Sequence, residues 1–551
     1  MTPSTHFTAG NTPDAPRSDL HGTLASLAAD LRTIGYTVDG VAELLGEAAH
    51  AALGRDQLIP ALIATERAGD GGPTTAALAA VVRLWLLAEP QRAATLDAAL
   101  PGIRTAGLLE LGIVEPSPAG LIQAKVDLRP YGWDPVVGYD ADDGDDGAGS
   151  GGADLWVASD LAAHQRPGVL RHDHVLGIGQ ASTTLVQVTA RRHVARALDL
   201  GTGCGIQTFH LLHHADHVTA TDISERALAF TRFNLALNAA ALHLDPANLE
   251  NRVSLRLGSL LEPVAGEEFE LVVSNPPFVI TPRSPGEAVA DQFTYRDGGL
   301  PGDDIVASLV RGLPSVLAPA GTAQLLGNWE IPAGQPWAER PQSWASPGMD
   351  VWFIQREQVG PEQYAETWLQ DASESRDRRL YQDSYAAYLD DFASRNVASI
   401  GFGMIWLRRP AGGSKPVISR FEEITYPIEQ PVGPHLGAAV ERADWLAARE
   451  LAAAHLLVAE DVTEERHQRP GAEHPGVILL RQGAGLRRTN LLSTELAGFV
   501  SACDGDLSVG QIIGALEALL GGYDGYDAEA FRGGLLTEVG NLLRDGFLLP
   551  A

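Results

Sequence analysis

The chain is short of several things, and each shortage closes off a class of protein. It has two cysteines, Cys204 and Cys503, which stand far apart, and that excludes a disulfide framework and any multi-cysteine zinc or iron–sulfur site. Lysine occurs only at Lys125 and Lys415, and the formal net charge is −30. A dedicated nucleic-acid binder shows a basic footprint, which here would have to be built from arginine. No run reaches the roughly 18 uninterrupted apolar residues that a membrane span needs. Met1 to Ser18 carries neither the basic start nor the apolar stretch of a secretory leader. These absences point to a cytoplasmic protein that does not engage a membrane. What is present is an ordinary hydrophobic fraction, 45% of 551 residues, enough for more than one core.

The composition divides the chain. Residues 1–20 read as a flexible tail. Residues 21–132 begin with helical spacing, as in Leu24-Leu27-Leu31, and end with a helix pattern running into a short hairpin, Gly107–Val114 and Leu121–Leu128. That order is a winged-helix ending, and an all-α cap carrying a small ribbon reads the same residues equally well. Residues 133–153 are rich in Asp and Gly. Their spacing lacks the closing bidentate Glu of an EF-hand, so they read as a solvated linker. Residues 154–430 alternate strand and helix, with a helical insertion from about Pro361 to Arg395 between two late strands. Residues 431–551 return to helices with short strands, ending in a helix-to-strand turn of winged-helix type. The central alternation implies an α/β fold, a mainly parallel sheet with ligands at the carboxyl ends of its strands.

Two strand ends carry the chemistry. In Ala197–Gly205 an apolar run ends in Asp199 and then in Gly201, Gly203 and Gly205. Glycines let a ligand approach the bare backbone. Asp222 ends the next strand, where a carboxylate can accept bonds from both hydroxyls of a ribose. The spacing departs from the Gly-x-Gly-x-x-Gly dinucleotide fingerprint. The second strand end is Leu271–Ser274, followed by Asn275-Pro276-Pro277-Phe278. Two prolines fix φ and remove two N–H donors, so the turn presents carbonyls only. The Asn275 side-chain oxygen and the Pro276 carbonyl can then accept both protons of a substrate –NH2, while Phe278 offers a flat face.

On these residues, 170–330 resemble a class I S-adenosylmethionine-dependent methyltransferase of the amino-group-modifying "small" subgroup. That subgroup includes the release-factor glutamine methyltransferases and the rRNA guanine-N2 methyltransferases. The resemblance implies a Rossmann-like seven-stranded core and S-adenosyl-L-methionine as cofactor. It places Asp199, Gly201, Thr202, Gly203 and Gly205 around the methionine part, and Asp222 and Ile223 at the ribose. Ser259 and Leu260 fall near the adenine, and Asn275–Phe278 form the catalytic turn, with Asn275 also beside the cofactor. Ser259 stands where the family usually has an acidic or polar residue. The implied acceptor is a planar amino or amide nitrogen. A protein glutamine or a small-molecule amine suits the acidic charge, with a nucleic-acid base amino group as the alternative. A non-catalytic S-adenosylmethionine-binding regulator would have no use for the proline turn. A nicotinamide enzyme would not carry these glycine and proline patterns.

Other features read more plainly. His210, His213, His214 and His217 have helical spacing but lack the metalloprotease Glu, so a solvated helix face is expected and no metal is assigned. Cys204 is expected to pack, with no base to activate it. Residues 171–184 open a helix with Ser182, Thr183 and Thr184 as candidate N-caps. The segment reads either as an ordinary cap or as a strap over a ligand.

Overall fold

The computed structural model describes residues 7, 12–69, 71–133, 153–166, 171–282, 299–371, 378–520 and 527–551. The acidic linker thus lies outside the described residues, apart from Trp133 and Ala153 at its two ends. The chain forms two compact units, residues 1–186 with 193–414, and residues 187–192 with 415–551. The second unit thus begins ahead of the boundary expected at 431, and the N-terminal helices share a unit with the sheet.

In the first unit seven strands form a sheet in the order Asp350–Val359, Val397–Arg408, Leu317–Pro332, Phe269–Ser274, Val194–Leu200, Ala215–Asp222, Val253–Leu257. Five of these pair in parallel, as uninterrupted apolar runs buried on both faces should. Val397–Arg408 runs antiparallel to both of its neighbours. This is the expected Rossmann-like α/β sheet with its late antiparallel pair. The register sets Leu200 opposite Thr221 and Ser274, and Asp222 opposite Leu257. All four carboxyl ends therefore lie abreast on one edge.

The N-terminal helices, His21–Thr33 to Arg104–Leu111, lead into a hairpin, Val114–Pro116 with Ile122–Ala124. A ribbon follows, Asp127–Trp133 paired antiparallel with Ala153–Ser159. Hydrogen bonds explain why this region does not separate. Trp156 Nε1 donates to the Tyr36 carbonyl (2.7 Å), and the Tyr36 hydroxyl donates to the Leu128 carbonyl (2.6 Å). Asn234, on the helix Glu225–Leu237, and Asn238, at its C-cap, close the backbone of Ala158 and Trp156 in both directions. Buried amides thus weld the ribbon to the sheet's own helix, where an unpaired backbone group would be costly.

Two local expectations need correction. The helix after the 171–179 segment begins at Gln180, so Ser182, Thr183 and Thr184 lie inside it, and Thr183 Oγ1 donates backward to the Gln180 carbonyl (3.0 Å). The histidine cluster is not a solvated helix face. Its helix ends at Leu211, His210 and His214 are buried, and His210 Nε2 meets the Tyr131 hydroxyl at 2.7 Å. His217 lies in the next strand and bonds Ser254.

The second unit contains two three-stranded sheets and the helices Gly433–Ala447, Thr494–Ser501, Val509–Leu520 and Ala528–Asp545. Its core gathers Phe499, Val539, Leu542 and Phe547. Gly546, at φ +87°, ends the last helix and turns the chain into Leu548–Pro550, whose partner is His455–Val458.

Candidate active site

A cavity of about 1140 Å³ opens along the carboxyl edge of the sheet. Gly201 (φ +77°), Gly203 (φ +58°) and Gly205 (φ +95°) all occupy the left-handed region that only glycine adopts freely. A Cβ added at Gly201 or Gly203 would meet nothing within 4 Å, so the bare backbone of both faces open space. The turn is fixed from behind. Gly201 and Thr202 donate to the Thr221 carbonyl (2.9 Å each), and Thr231 and Asn234 donate to the carbonyls of Gly203 and Cys204. Cys204 is buried and its thiol is pushed up to about 12 by desolvation, consistent with packing.

Asp199 lies beneath the turn, fully buried. Its Oδ2 accepts from the hydroxyls of Thr202 (2.8 Å) and Thr208 (2.6 Å), while Oδ1 has no partner. Burial raises its pKa to about 6 against the opposing pull of those two hydroxyls. Asp222 lines the cavity and has a structural duty as well. Its Oδ2 accepts from Gly203 N (3.0 Å) and its Oδ1 from Ser224 N (2.8 Å), tying the glycine turn to the next helix. Desolvation raises its pKa. Ser224 caps that helix, its side chain accepting from Ala227 N. Ile223 lines the same wall and is 57% exposed, an unusual placement for isoleucine unless something covers it. Gly258, Ser259 and Leu260 (φ +47°) complete this end.

At the other strand end, Ser274 Oγ donates to the Leu200 carbonyl (2.7 Å) and holds the two edges level. Asn275, Pro276 and Pro277 line the cavity, and the Asn275 Oδ1 is buried without a partner. Phe278 is half-buried and is not among the lining residues. The exit of the turn is held by a residue that sequence reasoning missed. The hydroxyl of Tyr364, buried in the insertion helix Pro361–Asp371, accepts from Ile280 N (2.8 Å) and Asn328 Nδ2 (3.0 Å). Its ring stacks on Phe402 at 5.7 Å. From the same helix Thr367, Trp368 and Gln370 reach the cavity.

The 171–184 segment also lines the cavity, from His174 to Gly179 and at Ala181 and Ser182. Its anchor was not legible either. Arg226 is buried on the helix Glu225–Leu237 and clasps Asp160 with two bonds (2.7 and 2.8 Å), while Asp160 Oδ2 accepts from Val175 N (2.8 Å). Arg226 also donates to the Asp173 carbonyl (2.7 Å). Burial lowers the pKa of neighbouring His174. Among the described residues no cluster of His, Cys, Asp or Glu has metal-binding geometry, and no helix is long and apolar enough to cross a membrane.

A glycine turn and an acid-ended neighbouring strand at the carboxyl edge of a parallel sheet form the arrangement in which α/β folds take a nucleoside cofactor. Residues 160–294 match the family model of the methyltransferase small domain. Residues 33–124 match a family described only as a domain of unknown function. Among curated proteins the chain is similar to the ribosomal protein uL3 glutamine methyltransferase of Bradyrhizobium diazoefficiens, with 33% identity over 159 residues, covering 28% of this chain and 46% of that protein. It is similar to the release factor glutamine methyltransferase of Geobacter sulfurreducens, with 31% identity over 167 residues, covering 28% and 51%. It is also similar to the ribosomal RNA small subunit methyltransferase C of Alcanivorax borkumensis, with 26% identity over 177 residues, covering 32% and 45%. The chain spans about half the length of the curated relatives it matches.

Proposed function

We propose that the chain transfers a methyl group from S-adenosylmethionine to a planar amide nitrogen, the side chain of a glutamine in a protein acceptor. The observation that carries this reading is the buried, unpartnered Asn275 oxygen on the cavity wall, beside two prolines that donate nothing. A buried acceptor with no donor is expensive to keep, and an –NH2 group repays it. The names of two of the similar proteins, both glutamine methyltransferases, favour glutamine over other amines.

The unfilled groups fit the cofactor part by part. Gly201 and Gly203 leave room for the methionine chain, and the buried Asp199 braces the same turn from below through Thr202. Asp222 faces the ribose, with lone pairs left beyond its two backbone bonds. Ile223, Ser259 and Leu260 bracket the adenine. Once bound, the cofactor supplies an electrophilic methyl group. Asn275 and the Pro276 carbonyl hold both N–H bonds of the acceptor, which draws its nitrogen out of amide planarity and aims the lone pair. Because the turn is rigid, this alignment costs no reorganisation at the moment of transfer. Trp368, on the cavity wall, offers the acceptor an apolar flank.

The test is incubation of the full chain with methyl-labelled S-adenosylmethionine and a fractionated lysate. Label in protein, located on glutamine by mass spectrometry, is the expected result. Label confined to RNA would replace glutamine by a base amino group, and no turnover with intact cofactor binding would leave a cofactor-binding regulator.

A further inference from the structure

The cavity is rich in acids and poor in cations. Asp56, Asp127, Asp160 and Asp222 line it, yet Arg129 is its one arginine or lysine among the described lining residues. Asp160 is already matched by the buried Arg226. Arg129 is 37% exposed at its side chain and donates through Nη2 to Asp127 Oδ2 (2.9 Å); its other donors make no further hydrogen bond among the described residues. Asp127 is buried and anchors the guanidinium of Arg129, which lines the cavity.

The register locates this cation. In the ribbon, Asp127 stands opposite Ser159 and Arg129 opposite Val157. The strand Ala153–Ser159 runs against the helix Glu225–Leu237, with Ala158 at Asn234 and Asp160 at Arg226 in the helix's first turn. The Asp127 end of the ribbon therefore lies at the carboxyl edge of the sheet. Two residues along the same face from Arg129, Tyr131 meets His210, one turn beyond Ile206. Arg129 is thus carried on the side of the sheet where the glycine turn enters its helix, whereas Asn275 ends the strand on the far side of Val194–Leu200.

We infer that Arg129 is the counter-ion for the α-carboxylate of the bound cofactor, so that the N-terminal ribbon completes the cofactor site. The inference rests on the reading that this cavity takes S-adenosylmethionine. That molecule brings two positive groups, sulfonium and ammonium, which the acidic walls accept. Its one carboxylate needs a cation, and the described cavity wall offers one. A guanidinium fork meets a carboxylate with two parallel bonds.

The experiment is calorimetric binding of S-adenosylmethionine and of decarboxylated S-adenosylmethionine, which lacks only that carboxylate. The wild-type chain should prefer the intact cofactor by about tenfold or more, the size of a charge-assisted hydrogen-bond pair. The double variant Asp127→Asn/Arg129→Gln leaves no buried carboxylate unpaired, and it should bring the two ligands to within about threefold. Arg129→Lys, a point charge without the fork, should give an intermediate ratio and carries the test alone if the double variant does not fold. A wild-type ratio in these variants overturns the proposal. Equal affinity of the wild-type chain for both ligands overturns it while sparing the cofactor reading. Failure of the wild-type chain to bind either ligand removes that reading itself.

Discussion

Two groups of buried polar side chains in the same sheet unit are treated in opposite ways. Off the cavity wall, Asp303 accepts from Glu330 N (2.8 Å) and from two nitrogens of Arg340. Glu330 is clasped by Arg395 (2.7 and 3.0 Å), which Asp391 holds from its other side. At the carboxyl edge, Asp199 and Asn275 each keep one buried oxygen with no donor. Burial of a polar group therefore does not mark a site here. A missing partner on a residue that lines the cavity, as at Asn275, is the observation that points to a ligand.

The comparison breaks most sharply at Asn275. Asn275→Ala should lower kcat about a thousandfold, in the range lost when one preorganised polar contact leaves a transition state. Cofactor affinity by calorimetry should stay near wild type, and a variant that kept full turnover would end the assignment. The paired cluster should fail in the opposite sense. Arg395→Ala leaves Glu330 buried and uncompensated, so chemical denaturation should show a loss of about 4 kcal/mol, while the folded protein keeps its cofactor affinity.

Asp199 sharpens the contrast through pH. Its folded pKa of about 6 lies above the ordinary carboxylate value, so burial favours the protonated form. Its contribution to stability is present below about pH 4 and is lost as pH rises through about 6. Asp199→Asn should remove that slope, leaving the variant ahead of wild type by about 3 kcal/mol at pH 7 relative to pH 4 in ligand-free unfolding. A parallel slope in both proteins would show that Asp199 is charged throughout. The smallest effect is expected at Asp222, where alanine should weaken the cofactor by about 1.5 kcal/mol by calorimetry.

Much of this was legible in the sequence because its causes are local. Continuous apolar runs gave the parallel strands, and the glycine turn and the double proline each announce their own backbone. A helix cap such as Ser224 is a local signal as well, because capping needs only the three residues that follow. What escaped depends on distant partners. Tyr364 meets Ile280 across 84 positions, and Arg226 meets Asp160 across 66. Nothing in the spacing of either residue signals its partner. The histidines misled because their helical period outlasts the helix, which stops at Leu211, and because Tyr131 arrives from the ribbon to bury His210. The ribbon was the largest omission. Its strands are separated by the acidic stretch, Asp127 fell inside the expected Leu121–Leu128 hairpin, and Arg129 lay just beyond it.

The most direct measurement locates the transferred methyl chemically. Protein labelled by the enzyme and S-adenosylmethionine would be hydrolysed in strong acid and the volatile products separated. Methylamine is the expected result, since an N-methylated glutamine amide releases its nitrogen with the methyl attached. Methanol would place the methyl on a carboxylate oxygen, and label retained on lysine would place it on an aliphatic amine. Either result would contradict transfer to an amide nitrogen held by Asn275.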